Sequence, residues 1–254
     1  MERKNIVRKL LEVDETQSTN DDLKKMIYGS TEPCFAVITA IRQTGGRGRF
    51  GRSFLSPDGG LYFSASYPLD KSTKNIPFLT LAAGLAAAEA IEKIPTSTKI
   101  DCELKWPNDI YLNGRKVCGI LTELVGAAET LTAVVGIGIN VRDISEECPH
   151  ELRRKITYLN GEGIFPDREA LLRSIVEELD NFVYLQGTLD SVSDGIVEEI
   201  NRRSYLCGKT IEFSDNGRKI KGSAGEIKKD GALSVFTKEG EFHIKFGEVT
   251  TVTG

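Results

Sequence analysis

Between two apolar, strand-like runs at residues 35–41 and 61–67 lies Gln43-Thr-Gly-Gly-Arg-Gly-Arg-Phe-Gly-Arg52, four glycines and three arginines in ten residues. Such a run cannot be core. It must be a loop between strands, because glycine tolerates positive φ and close approach while each arginine presents a planar fork of donors suited to carboxylate or phosphate. No acid interrupts residues 42–57. A rigid strand therefore carries a positive loop in position to close over an anion. Gly46, Gly48 and Gly51 fit G-x-G-x-x-G, but a dinucleotide fingerprint needs a helix to follow, and the alternation of Leu61, Phe63, Ala65 and Tyr67 is that of a strand. No Gly-Lys-Ser/Thr ends the run, which excludes a Walker A loop, and a kinase-type hairpin lacks its His-Arg-Asp and Asp-Phe-Gly partners. A flexible Arg-Gly linker is the remaining bland reading, and linkers seldom join two apolar strands.

The 254 residues can bury a full core and carry a small second domain. A net charge of −4 argues against a general nucleic-acid binder, so the arginine cluster suits a small anion instead. Five cysteines without a Cys-x-x-Cys pair and only two histidines suggest no zinc site. The longest apolar stretch, residues 76–88, is too short for a membrane span of about 20 residues. With no signal-peptide pattern at the start, the expectation is a reduced, cytoplasmic protein that makes no use of a membrane.

Thr16-Gln-Ser-Thr-Asn-Asp-Asp22 stacks cap-forming residues before Leu23, Met26 and Ile27, which predicts a helix start, with Gly29 closing the helix. Capping is the plainer reading of Ser18, Thr19 and Asn20; the wall of a ligand site is the other. Pro77 precedes an Ala-rich, largely buried helix over 78–91. Ile100, Cys102 and Leu104 alternate as a strand that runs into Lys105-Trp-Pro-Asn-Asp109, where the only tryptophan is followed by proline, an amide and a carboxylate. Asn113-Gly114 predicts a hairpin turn to a strand over 117–121, with Lys116 at its start. Residues 131–141 read as a buried strand with Gly136 and Gly138 two apart, where another group packs closely; Asn140 either caps its end or lines a site. Residues 142–165 are irregular and long enough for a lid, and two amphipathic helices follow over 168–186 and 192–203. From Cys207 the texture changes to short strands at 210–213, 219–223, 233–237 and 242–246. Asn216-Gly217, Asp230-Gly231 and Glu239-Gly240 separate them, which predicts a small antiparallel barrel. The domain boundary is set near Tyr205, dividing the chain into 1–205 and 206–254.

Taken together, Gly46-Arg-Gly-Arg-Phe-Gly-Arg52, Lys105-Trp-Pro-Asn-Asp109, Lys116-Val-Cys-Gly-Ile-Leu121 and Gly136-Ile-Gly-Ile-Asn140, in this order and spacing, closely resemble the biotin protein ligases. Glu15-Thr-Gln-Ser-Thr-Asn20 adds that family's serine-threonine-asparagine element, so the resemblance is dense over residues 15–141 and looser beyond. It implies an α+β fold: a mixed sheet with flanking helices, akin to the class II synthetase catalytic domain, followed by an SH3-like barrel. It also implies that biotin and ATP form biotinyl-5′-adenylate, and that a lysine of the biotin carboxyl carrier protein accepts the biotin. Carried over by position, Ser18, Thr19, Asn20, Gln43, Gly46, Arg47, Gly48, Arg49, Lys116, Gly119 and Gly136 would hold biotin. Arg47, Arg49, Lys105, Trp106, Asn108 and Asn140 would line the ATP side, Arg47 and Lys116 would be catalytic, and Asp109 would help hold Mg2+. The residue types suit this independently, since a carboxylate and a triphosphate repel one another until cations reach both.

The chain also departs from the pattern. Only residues 1–14 precede the serine-threonine-asparagine element, where many relatives carry a DNA-binding winged helix, so DNA binding is not expected and a homodimer is, by analogy with relatives lacking that part. Ile156-Thr-Tyr-Leu159 replaces the usual alanine-threonine-serine-leucine run on the lid. Cys118 reads as a small packing residue. The competing readings are a lipoate protein ligase, which lacks Lys-Trp-Pro-Asn-Asp, and a biotin-binding protein without transfer activity.

Overall fold

The structure is a computed structural model that describes residues 8–252 apart from 71, 74, 98, 128, 129, 145–147, 186–188, 190, 216 and 217. Its first sheet contains β1 (Lys9–Thr16), β2 (Ala36–Gln43), β3 (Gly60–Leu69), β4 (Glu103–Lys105), β5 (Asp109–Leu112), β6 (Arg115–Ala127) and β7 (Thr130–Asn140). They run in the order β1-β2-β3-β7-β6-β5-β4. Only β1 and β2 are parallel. A parallel pair needs a crossover, and α1 (Thr19–Tyr28) provides it.

The two faces of this sheet are covered differently. Leu23 of α1 packs with Ala36, Ile38, Val125 and Val134 on one face. The main core lies on the other, beneath α2 (Phe78–Glu92) and α4 (Arg168–Asp180). Packed between sheet and α4, α2 is apolar around its circumference, and its alanines permit close approach. Each fully buried leucine there, such as Leu79 or Leu85, contributes about 1.5–3 kcal/mol. Because both faces are covered, β3 is buried along most of its length, so the alternation at 61–67 marks the α2 face and does not mark a wet side. The Asn113-Gly114 turn forms as expected, with φ of 49° and 73°. The expected strand through Ile100 and Cys102 is shorter, confined to β4.

The segment between β7 and α4 contains α3 (His150–Arg153) and is pinned to the start of β6. Lys116 N donates to Lys155 O at 2.9 Å, and Thr157 N donates to Lys116 O at 2.8 Å. After α4 come a π-helical turn (Asn181–Leu185) and α5 (Asp194–Arg202). The second sheet holds β8 (Thr210–Asp215), β9 (Arg218–Ile227), β10 (Leu233–Thr237), β11 (Gly240–Ile244) and β12 (Val249–Thr251). All its pairings are antiparallel, in the order β11-β10-β9-β8-β12. Among the described residues this sheet does not close into a barrel, since β11 and β12 do not pair with each other. The expected turn at Asn216-Gly217 lies outside the described residues.

The expected boundary near Tyr205 falls on a segment that pairs with β4. Leu104 N donates to Arg203 O at 2.8 Å and Tyr205 N donates to Leu104 O at 2.9 Å. Ile211, Phe213 and Val235 of the second sheet join the same apolar cluster as α2. Among the described residues no helix is long and apolar enough to cross a membrane.

Candidate active site

Lys105, Asp109, Gly119, Gly138 and Tyr62 stand directly opposite one another across β4, β5, β6, β7 and β3. One row along, Leu121, Gly136 and Ser64 do the same. The three glycines turn this part of the sheet face into bare backbone, and two groups fill the space. A Cβ on Gly136 would stand 2.2 Å from Asn20 Oδ1, and one on Gly138 would stand 2.5 Å from Phe54 Cε1. Gly119 is also overlaid by Phe54, at 2.9 Å from its Cε2. The glycines thus seat the start of α1 and the Phe54 ring on the sheet.

Ser18 occupies the N-cap position of α1 but makes no side-chain cap hydrogen bond, which corrects the capping reading. The cap comes from Gln43, whose Oε1 accepts from Thr19 N at 2.9 Å and from Thr19 Oγ1 at 3.2 Å. Gln43 Nε2 in turn donates to Ser56 Oγ at 3.0 Å. Ser64 Oγ bridges Thr19 Oγ1 at 2.7 Å and Asn20 Oδ1 at 2.5 Å. Asn20 Nδ2 donates to Glu123 Oε2 at 2.7 Å. With the cap supplied by Gln43, Ser18 is a buried residue on the pocket wall whose side chain caps nothing.

The glycine-arginine run forms a hairpin. Gln43 N bonds Ser56 O at 2.9 Å, Phe54 N bonds Gly46 O at 2.9 Å, and Gly48 N bonds Arg52 O at 2.6 Å. A side chain at Gly46 would strike Phe54 O at 2.5 Å, so only glycine lets the two limbs close. At the tip Phe50 has φ 56° and is 68 % exposed. Arg47 pairs both terminal nitrogens with Asp21, at 2.5 Å each, and lies 3.7 Å from Glu123. The Arg47 guanidinium holds the Asp21 carboxyl down to about 2, against the opposing effect of partial burial. Arg49 has no carboxylate partner among the described residues; it lies 5.0 Å from the Phe50 ring, and burial lowers its pKa.

Lys116 reaches this face through a bulge. Ile110 pairs with Cys118 and Tyr111 with Lys116, so Val117 is an extra residue that reverses the alternation of β6. Its Nζ then sits 3.0 Å from where a Gly119 Cβ would stand, 5.6 Å from the Phe54 ring centroid and 2.7 Å from Asp109 Oδ1. That Asp109 oxygen is buried and has no aligned hydrogen bond, so the contact is an ion pair of poor hydrogen-bond angle. Asn108 completes the wall, donating from Nδ2 to Ile120 O at 3.0 Å.

The family model of the biotin/lipoate A/B protein ligases matches residues 12–140, just over half of the chain. The chain belongs to that family. This member of the biotin/lipoate ligase family is 30 % identical to a biotin protein ligase from Aquifex aeolicus solved with biotin and ATP, with a TM-score of 0.76 over 98 % of this chain and 100 % of that one. It is 36 % identical over 169 residues to the bifunctional ligase/repressor BirA of Bacillus spizizenii, covering 65 % of this chain and 49 % of the relative. Over 230 residues it is 28 % identical to a biotin–[acetyl-CoA-carboxylase] ligase of Mycobacterium tuberculosis, covering 89 % and 82 %. The chain spans about half the length of the Bacillus relatives it matches.

Around one pocket this ligase-family chain gathers Ser18, Thr19, Asn20, Gln43, Arg47, Gly48, Asn108, Lys116, Gly119 and Gly136. Gly46, Arg49 and Asp109 stand behind or beside it. Three of the expected nucleotide-side residues do not line this pocket. Trp106 is 2 % exposed in the main core, and its indole N–H donates to Gly231 O at 2.9 Å. Asn140 is buried, and its Nδ2 donates to Thr157 O at 3.1 Å. Lys105 gives its ammonium to Tyr111 OH at 3.0 Å and is not among the residues lining the pocket. Cys118 is fully buried, and burial pushes its thiol up, as suits a packing residue. Sequence reasoning missed Phe54 and the acids Asp21 and Glu123. An aromatic directly after a cationic hairpin was the available signal for Phe54; nothing local signals that Asp21 meets Arg47.

Proposed function

We propose that this chain is a biotin–protein ligase. The observation that carries the reading is a glycine-floored pocket with Ser18, whose side chain caps nothing, on one wall and the Lys116 ammonium on another. Such a pocket suits a compact, largely apolar molecule with a few polar atoms and a carboxylate. The named activities of the relatives and the ligands of the Aquifex structure support biotin and ATP as its substrates.

In the first half-reaction a biotin carboxylate oxygen attacks the α-phosphorus of ATP and the bond to the leaving pyrophosphate breaks, giving biotinyl-5′-adenylate. In the second, the amine of a carrier-protein lysine attacks the acyl carbon, AMP leaves, and the nitrogen gives up a proton. Both reactants of the first step are anions, so the chain must supply cations where their charges approach. Lys116, preset by Asp109, is our assignment for that task, and Arg49, free of any carboxylate partner among the described residues, joins it in place of the expected Arg47, whose terminal nitrogens are on Asp21. Ser18, Thr19 and Gln43 orient biotin, Phe54 covers it, and Arg47 and Asn108 face the nucleotide.

Magnesium fits the donor set only as a metal carried by phosphates. Among the described residues no group of three or more His, Cys, Asp or Glu side chains could hold a metal, whereas Asp109 offers one carboxylate beside the pocket. Asp109 would hold the ion, which would draw charge from the triphosphate oxygens. We further read residues 206–254 as an SH3-like unit appended to a catalytic unit of 1–205, and the protein as a cytoplasmic homodimer whose partner is a biotin carboxyl carrier protein. A net charge of −4 supports the absence of duplex binding. Pyrophosphate release measured with ATP and biotin, against ATP and lipoate, tests the reading. Release with biotin alone is expected. Equal release with both, or none with biotin, sinks it.

A further inference from the structure

The pocket's most prominent arginine is already occupied. Arg47 spends both terminal nitrogens on Asp21, in the first turn of α1, at 2.5 Å each. That edge of a guanidinium is the fork that grips a phosphate or carboxylate. Lys24 reinforces the arrangement, lying 3.0 Å from Asp21 Oδ1 and 2.8 Å from Glu123 Oε1, while Glu123 stands 3.7 Å from Arg47. Two cations and two carboxylates from α1, β6 and the hairpin thus cancel beside a pocket that we assign to anionic substrates. An acid in the first turn of a helix needs no arginine partner, since the helix end itself favours it. Its pairing across to the hairpin is what calls for an account.

Resting on the ligase reading, we infer that Asp21 is an internal competitor: its carboxylate takes the Arg47 fork that substrate oxygens would otherwise use, and so sets the affinity for those anions. A ligand that needs Arg47 binds only the fraction of molecules in which the fork is released, and its apparent affinity falls by that fraction. Asp21 is a positioning residue, acting through Arg47 without touching substrate. The anion that gains is the ATP triphosphate or the biotin carboxylate, two sources of the same oxygen chemistry.

The test is calorimetric binding of Mg–ATP alone and of biotin alone to the full chain, in wild type, Asp21→Asn and Asp21→Glu, with thermal melts of each and pyrophosphate release by wild type. Asparagine keeps the shape and removes the competing charge, so Asp21→Asn should bind one of the two ligands about three- to tenfold tighter. Asp21→Glu retains a carboxylate and should bind like wild type. The ligand that tightens identifies the anion. If Asp21→Asn binds both ligands equally well or more weakly than wild type, the competition is overturned, and a parallel fall in melting temperature would make Asp21 a structural pin. If wild type turns over normally while the Asp21→Asn affinities stay unchanged, the competition alone fails. If wild type binds neither ligand and releases no pyrophosphate, the ligase reading fails and takes the competition with it.

Discussion

A lysine held 2.7 Å from a carboxylate is oriented before any ligand arrives, and Lys116 has that orientation from Asp109. Replacing Lys116 with alanine should slow adenylate formation about 100-fold or more, because a charge aimed at the developing transition state is lost. The fold should lose no more than about 1–2 kcal/mol, the cost of leaving Asp109 without its partner. Single-turnover adenylation and urea denaturation measure the two, and near-normal turnover would remove Lys116 from the mechanism. Asp21 makes a second, electrostatic prediction. Facing Arg47 from the hairpin and Lys24 on its own helix, both of which also approach Glu123 of β6, its carboxyl is lowered from 3.8 to about 2, with the Arg47 bond the largest cause. A depressed acid stabilises the fold fully above its unfolded value and loses that contribution as pH falls through the folded one. The Asp21–Arg47 contribution should therefore hold down to about pH 4 and vanish near pH 2. Carboxyl-carbon NMR would follow it; a midpoint at the ordinary value would mean that the pair does not form in solution.

At the scale of elements, the hairpin over residues 43–56 and the strands β6 and β7 are fitted to one another. Phe54 rests on Gly119 and Gly138, and nothing larger than hydrogen fits beneath it. Gly138→Ala would put a methyl 2.5 Å from Phe54 Cε1, between a rigid strand and a ring held by the hairpin. The ring is the part free to yield, so the hairpin should lift. Overpacking of this kind costs about 1–3 kcal/mol, and part of it should appear as weaker biotin binding. Calorimetry with biotin, set against the denaturation midpoint, checks this, and unaltered biotin affinity would show that Phe54 is no part of the wall.

For the whole molecule, Trp106 is the fastening between the two sheets. Its ring fills the main core while its indole N–H reaches Gly231 O in the second unit. The Asn201 amide adds a reciprocal pair with Ile227, donating to O at 2.9 Å and accepting from N at 2.7 Å. Trp106→Phe removes the donor and leaves a buried carbonyl unpaired, a loss of about 1–3 kcal/mol. It should also make the chain easier to cut near residue 205 in limited proteolysis. Unchanged stability together with an unchanged cleavage pattern would show that the two sheets do not depend on this bond.

Periodicity, turn chemistry and glycine placement are local, and the sequence alone determined the features that depend on them: the strands around the arginine run, the apolar α2, the Asn113-Gly114 turn, the close approach at Gly136 and Gly138, and the family. Packing between distant segments decided the rest. Alternation puts Lys116 and Gly119, three apart on β6, on opposite faces; the extra residue Val117 reverses this, and a bulge depends on pairing with β5. The cap of α1 comes from Gln43, 24 residues on, which frees Ser18 for the pocket. Trp106 does not line the pocket: the second sheet offers its indole a carbonyl, and a buried N–H must find an acceptor. Arg47 is neutralised because β1-α1-β2 brings Asp21 beside the hairpin, and no pattern of charge along the chain encodes that meeting.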